Sequence, residues 1–159
     1  MPTSDYTPDL QDVGTLIAAR TKDANGNELG TFTAATRPTQ TQVEEQIAKA
    51  VNRLENRVGT DIDESLWDAA KEVVALDVAS RVELSFFPDQ VTVGRSPYQE
   101  LKALHDQQET DLTTAIAAIA AHSGTEDDQS PGGLPHYGFP GLAPADADMF
   151  EIDPRNAAW

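Results

Sequence analysis

Between Asp61 and Pro88 the apolar residues crowd onto more than one face of a helix: Leu66, Trp67, Ala70, Val73, Val74, Leu76, Val78, Ala79, Val82 and Leu84. A helix that is apolar on most of its sides must be covered on most of its sides. Asp61 and Glu64 stand at capping-box spacing and set the expected start. Pro88 sets the end, because proline lacks an N–H and clashes with the preceding turn. Only two other long helices are available as cover. Part of the surface is therefore expected to be buried by neighbouring subunits, through Trp67, Val74 and Val78; for Trp67 a place in the core is the competing reading.

Those two helices are legible on either side. Thr39, after Pro38, is an N-cap, and Gln42 completes its capping box. Val43, Ile47, Ala50, Val51, Leu54 and Val58 then form one stripe of 3.6-residue period that Gly59 ends. Glu44, Glu45, Lys49, Asn52, Glu55 and Asn56 occupy the opposite face. The third helix opens with Ser96 as N-cap, Pro97 at the first helical position and Gln99 closing the box. Its stripe is Tyr98, Leu101, Leu104, Gln108, Leu112, Ala115, Ile116 and Ile119, and His122-Ser123-Gly124 closes it. At 1.5 Å per residue it spans roughly 39 Å, long enough that one end is expected to project.

Ahead of these helices the texture changes. Asp12 to Ala19 is a short helix candidate. Residues 20–33 contain Asn25-Gly26, the pair favoured in a type I′ hairpin turn, with Gly30-Thr31-Phe32-Thr33 as the return strand. A lone hairpin needs a surface to lie on, and an irregular loop crossing the helices fits the same residues. The expected fold is mainly α: a small helical bundle over residues 1–122, with three long helices, a short N-terminal helix and a β-hairpin near 20–33. A long extended C-terminal arm, 123–159, follows.

That arm holds five of the ten prolines and five of the ten glycines, so it cannot continue the helix before it. It also holds four of the ten aromatics, Tyr137, Phe139, Phe150 and Trp159. Aromatic rings are what a purely solvating tail lacks, so these four are expected to anchor the arm on a partner. An acidic, unengaged terminus is the alternative.

Charge narrows the partners. The 159 residues include 27 acidic and 11 basic side chains, for a net −16. Such a chain is repelled by nucleic-acid phosphates and by anionic membranes. It avoids DNA, imitates DNA, or meets a protein that supplies basic groups. There is no cysteine, hence no disulfide and no thiolate chemistry. The opening Met-Pro-Thr-Ser-Asp has no signal-peptide character and no apolar run approaches ~18 residues, so a soluble protein made in a cytoplasm is expected.

Residues that carry chemistry are sparse. His105 and Glu109 share a helix face at i, i+4 but lack a third ligand, so a solvated face is expected rather than a metal site. His122 suits the C-terminal end of its helix, where a cation complements the dipole. His136 lies in the arm beside Tyr137 and reads as a contact residue or as one without a role. Gly26, Gly30 and Gly132-Gly133 form no phosphate loop. Asp61 and Asp63 read as helix caps, and Glu44-Glu45 and Asp127-Asp128 as solvated charge. No catalytic residue, cofactor or metal is expected, and the chain does not read as an enzyme.

One set of segments has a likeness elsewhere. Asp12-Val-Gly-Thr-Leu-Ile-Ala-Ala-Arg-Thr, then Gly30-Thr-Phe-Thr-Ala-Ala-Thr-Arg-Pro-Thr39, then Gln42-Val-Glu-Glu-Gln-Ile-Ala-Lys-Ala50 resemble the head-to-tail connector (adaptor) proteins of long-tailed bacteriophages. Thr36-Arg37-Pro38-Thr39 leading into a Val/Ile/Ala-rich helix is the most telling piece, and the likeness extends over roughly residues 6 to 122 in element order. The resemblance implies a helical bundle that forms a twelve-membered ring in the virion neck. That ring would dock on the portal protein and join it to the stopper or tail-terminator rings, with DNA passing through the channel without specific binding. The hairpin and the arm depart from the shortest members. The rival of another class is an acidic DNA mimic or other protein-binding inhibitor. Against it, Glu44, Lys49, Arg53, Glu55 and Arg57 mix signs along one helix, whereas a mimic concentrates carboxylates.

Overall fold

The structure is a computed structural model that describes residues 5–123. It is mainly helical: α1 is Leu10–Leu16, α2 Gln40–Val58, α3 Trp67–Phe86, α4 Pro88–Thr92 and α5 Tyr98–Ser123, with single 3-10 turns at Ala18–Arg20 and Glu64–Leu66. The apolar helix is the axis of the bundle. α3 packs against α1, α2, α4, α5 and the 3-10 turn at 64–66, so its several apolar faces are covered within the chain. Val74 and Val78 are fully buried in this core. The expectation that they face a neighbouring subunit is therefore corrected: an inventory of long helices omits α1, α4 and the loops that supply the remaining cover.

Caps fix the helix ends. Thr39 and Gln42 form the reciprocal capping box on α2, and Gly59, at φ 92°, ends it with its N–H on the Glu55 carbonyl at 2.8 Å. Asp9 and Asp12 form a second box on α1, each side chain 2.8 Å from the other's backbone N–H. At the next helix the cap is Asp63 rather than Asp61. Its carboxylate accepts from Ser65 N–H at 2.9 Å and holds the 3-10 turn that leads into α3. Pro88 ends α3 as expected and also opens α4, an element absent from the sequence reading, because its fixed φ suits the first helical position. α5 runs over the expected span with Leu101 and Leu112 buried, while Leu104, assigned to the same stripe, is half exposed. The far turns of α5 do not project freely: Ile116 and Ile119 line a shallow cleft with Leu66, Asp61 and Asp63.

No hairpin forms. The only β pairing among the described residues is an isolated antiparallel bridge between Lys22 and Glu28. The turn is not type I′, for Gly26 has φ 85° but Asn25 does not share the positive φ that type requires. Instead the Asp23 carboxylate accepts from the N–H groups of Asn25 (2.8 Å) and Asn27 (2.9 Å), which curls the chain from one side. The segment expected to return as a strand passes over α1. There Gly14 permits a close approach: a Cβ at that position would stand 2.9 Å from the Gly30 carbonyl oxygen. Phe32, two residues on, is buried in the core. The loop is held by packing, so strand pairing is not needed to order it.

The Thr36–Thr39 phrase forms a compact turn into α2. Thr36 Oγ1 accepts from Thr33 N–H at 3.0 Å, and its own proton lies between the carbonyls of Thr33 (2.9 Å) and Pro38 (2.7 Å). Thr36 and Pro38 are both buried.

Candidate functional site

Two arginine–carboxylate assemblies lie along α3, and neither was read from the sequence. The first is at its C-terminal end. Arg20, from the 3-10 turn after α1, places Nε 2.7 Å from Glu83 Oε1 and Nη2 2.8 Å from Oε2, the forked geometry natural to a guanidinium on a carboxylate. The same Nη2 donates to Gln90 Oε1 at 2.7 Å, and Ser96 Oγ donates to Glu83 Oε2 at 2.7 Å. The guanidinium carbon lies 3.8 Å from the centre of the Phe87 ring. The Glu83 side chain is 1% exposed and that of Arg20 13%. α3, α4, the entry to α5 and the turn after α1 are thereby joined at one charged node. The available signal was Glu83 itself, a carboxylate within a helix apolar on most sides, which demands a cation.

The second assembly lies two turns earlier, between α2, α3 and α5. Asp77 is buried on α3. It takes Arg53 Nε and Nη2 on Oδ2 at 2.9 and 2.5 Å, and Arg81 Nε on Oδ1 at 2.7 Å. Arg57 pairs with Glu109 of α5. These side chains and His105 rim a pit of about 50 Å³ whose lining also includes the buried Ala50, Leu54, Val73 and Val74. Three arginines thus share one face of a strongly acidic chain.

A wider groove of about 960 Å³ lies between the segment entering α1 and the edge of α2 where the buried Ile47 and Val51 adjoin the exposed Glu44 and Asn52. Pro8, Leu10, Ile47, Ala48 and Val51 give it an apolar lining, and Asp9, Glu44 and Glu55 contribute carboxylates. Tyr6, buried beneath, donates its hydroxyl to Glu55 Oε1 at 2.9 Å. A groove with that character can seat an apolar segment flanked by basic residues. Close by, Asp12 joins Lys71 of α3 at 2.8 Å. Burial acts to raise the Asp12 carboxyl, but hydrogen bonds from Lys71 and the Asp9 backbone outweigh it and hold it below the usual carboxylate value. The Lys71 ammonium is correspondingly raised, chiefly by its hydrogen bond to Asp12.

The residues singled out from the sequence fall as follows. Trp67 is half-buried against the core, and its indole N–H donates to the Ile62 carbonyl at 3.0 Å. His105 is not the solvated residue expected: its side chain is 17% exposed, with Nδ1 3.2 Å from an Asp106 carboxylate oxygen. Glu109 is engaged by Arg57, so the two do not form a ligand pair. His122 sets Nδ1 2.8 Å from the Ala118 carbonyl in the last turn of α5. The arm anchors Tyr137, Phe139, Phe150 and Trp159, together with His136, lie outside the described residues. Among the described residues no three His, Asp or Glu side chains are grouped to hold a metal ion, and no helix is long and apolar enough to cross a membrane. No family model, curated protein or solved structure matches the chain.

Proposed function

We propose that this chain is a structural subunit of a tailed-phage virion, a head-to-tail adaptor in the neck. In this reading its copies form a twelve-membered ring that docks on the portal and joins it to the stopper or tail-terminator rings. It is made in the host cytoplasm, carries no cofactor and acts by binding rather than catalysis. The observation that carries the reading is the structural role of the segment with the sequence likeness. Thr36 and Pro38 are buried in the turn that launches α2, Thr39 caps that helix, and Gly14 and Phe32 fasten the preceding loop over α1. The likeness therefore falls on residues that specify an architecture.

Surface chemistry supports the same role. A net charge of −16 suits a channel wall past which DNA slides without adhering. Leu84, Val93 and Leu104, at least 47% exposed, are apolar side chains available to other subunits. Head-to-tail ring contacts are heterologous and use two different faces of each copy.

The test is made on particles. Cryo-electron microscopy of virions is expected to place this chain between portal and tail in a closed ring. Removal of residues 124–159 is expected to leave the helical circular dichroism and thermal melting of the bundle nearly unchanged while abolishing attachment to portal-containing heads. Attachment of the truncated chain would remove the arm from the docking role; absence of the chain from purified virions would refute the reading as a whole.

A further inference from the structure

The arginine face between α2 and α3 has donors to spare. Asp77 occupies Arg53 Nε and Nη2 and Arg81 Nε, and Glu109 is paired with Arg57 through Nη1. Among the described residues, Arg53 Nη1, Arg57 Nη2 and both terminal nitrogens of Arg81 donate no hydrogen bond. Three guanidinium charges meet two carboxylates, which leaves a local positive excess on a chain of net charge −16. The arginine side chains are 36%, 62% and 45% exposed, so the spare donors are accessible. Asp77, at 13%, is largely shielded and holds two of the guanidinium planes in place. Pre-set planes lose less freedom on binding than free side chains do.

We propose that Arg53, Arg57 and Arg81 form a carboxylate-binding site that receives an acidic side chain of a partner polypeptide. The chemistry of the pit selects the ligand. Its lining combines guanidinium groups with the apolar side chains of Ala50, Leu54, Val73 and Val74. That combination suits a carboxylate on an aliphatic stem, such as aspartate or glutamate within a peptide. A nucleic-acid backbone brings continuous phosphate charge to a chain of net charge −16, which repels it beyond the reach of three arginines. The site is independent of the adaptor reading, since any acidic protein segment can occupy it.

Titration of the full-length protein with a short peptide carrying one glutamate among uncharged residues, followed through the arginine Nε–Hε resonances, tests the assignment. The expected result is a saturable shift of the Arg53, Arg57 and Arg81 signals that collapses as salt rises. Inorganic phosphate is expected to compete only weakly and duplex DNA not at all. Arg53→Gln with Arg81→Gln is expected to weaken peptide binding by about tenfold or more, the scale of losing a charge-assisted hydrogen-bond pair. Because both residues also hold Asp77, Arg57→Gln, on the most exposed of the three, supplies a second variant expected to weaken binding while the helical circular dichroism shows the protein still folded. Three results overturn the proposal: no saturable shift at millimolar peptide, equal binding by the folded variants, or duplex DNA displacing the peptide from the same resonances.

Discussion

Glu83 and Asp77 stand two turns apart on α3, each gripped by arginine in hydrogen bonds of 2.5–2.9 Å, yet they do different work. At Glu83 both partners are withdrawn from water, and a serine hydroxyl, a glutamine and an aromatic face complete the shell. Such a pair contributes fixed geometry more than net stability. Its desolvation cost is of the order of its attraction, but removal of one partner strands the other. At Asp77 the carboxylate is shielded while the arginines remain half in solvent, so the attraction is screened and donors stay available. Burial, rather than residue type, separates a fastener from a surface that can meet a partner.

The largest expected effect breaks the first assembly. Arg20→Met keeps much of the side-chain volume but leaves Glu83 buried without its cation, and a loss of about 3–5 kcal/mol is expected. Urea denaturation checks it, with a midpoint shifted far below that of the wild type. An unchanged midpoint would show that water reaches Glu83. The double variant Arg20→Met with Glu83→Leu is expected to recover much of that loss, because no stranded charge remains.

Next comes the packing that lets the loop cross α1. Gly14→Ala drives a Cβ toward the Gly30 carbonyl, and overpacking of this kind costs about 1–3 kcal/mol. Thermal melting measures it, and hydrogen exchange is expected to show the added opening in residues 20–33 and α1 first. Uniform loss of protection would mean that the loop is part of the global unfolding unit.

At the second assembly the expected losses are smaller. Arg81→Gln leaves Arg53 on Asp77 and is expected to cost no more than about 1 kcal/mol, diminishing with salt. A loss as large as that of Arg20→Met would erase the contrast between the two sites.

The smallest effect is a pH dependence at the Asp12–Lys71 pair. The Asp12 carboxyl is held below its ordinary value of 3.8 in the folded chain, so ionised Asp12 stabilises the fold above that value. The contribution disappears as pH falls through the lowered folded value. Asp12→Asn is therefore expected to be modestly less stable than wild type near neutrality and equal to it in strong acid. Urea midpoints over an acid series measure the convergence; a gap that persists at the acid end would assign the effect to the capping role of Asp12 instead.

The sequence alone determined the long helices, because their signals are local. A 3.6-residue apolar stripe, a Thr39–Gln42 box and Gly59 need nothing beyond neighbouring residues to act. It also determined that the helix before Pro88 must be covered on most sides. Tertiary structure decided what covers it. Val74 and Val78 lie in a core where α3 packs against α1, α2, α4 and α5 of the same chain, an outcome that depends on how short elements and loops close over α3. The loop at 20–33 turned on the same point: Asn25-Gly26 permits a hairpin, but the Asp23 carboxylate and the approach over Gly14 select another path. Both arginine assemblies were illegible for a related reason. Arg20 and Glu83 are 63 residues apart and Arg53 and Asp77 are 24 apart, and a periodic pattern holds no information on charges that meet only when helices pack; Asp77–Arg81, at i, i+4, was the one local pair. Glu83 announced that it needed a cation; only the packed bundle decided that the cation is Arg20.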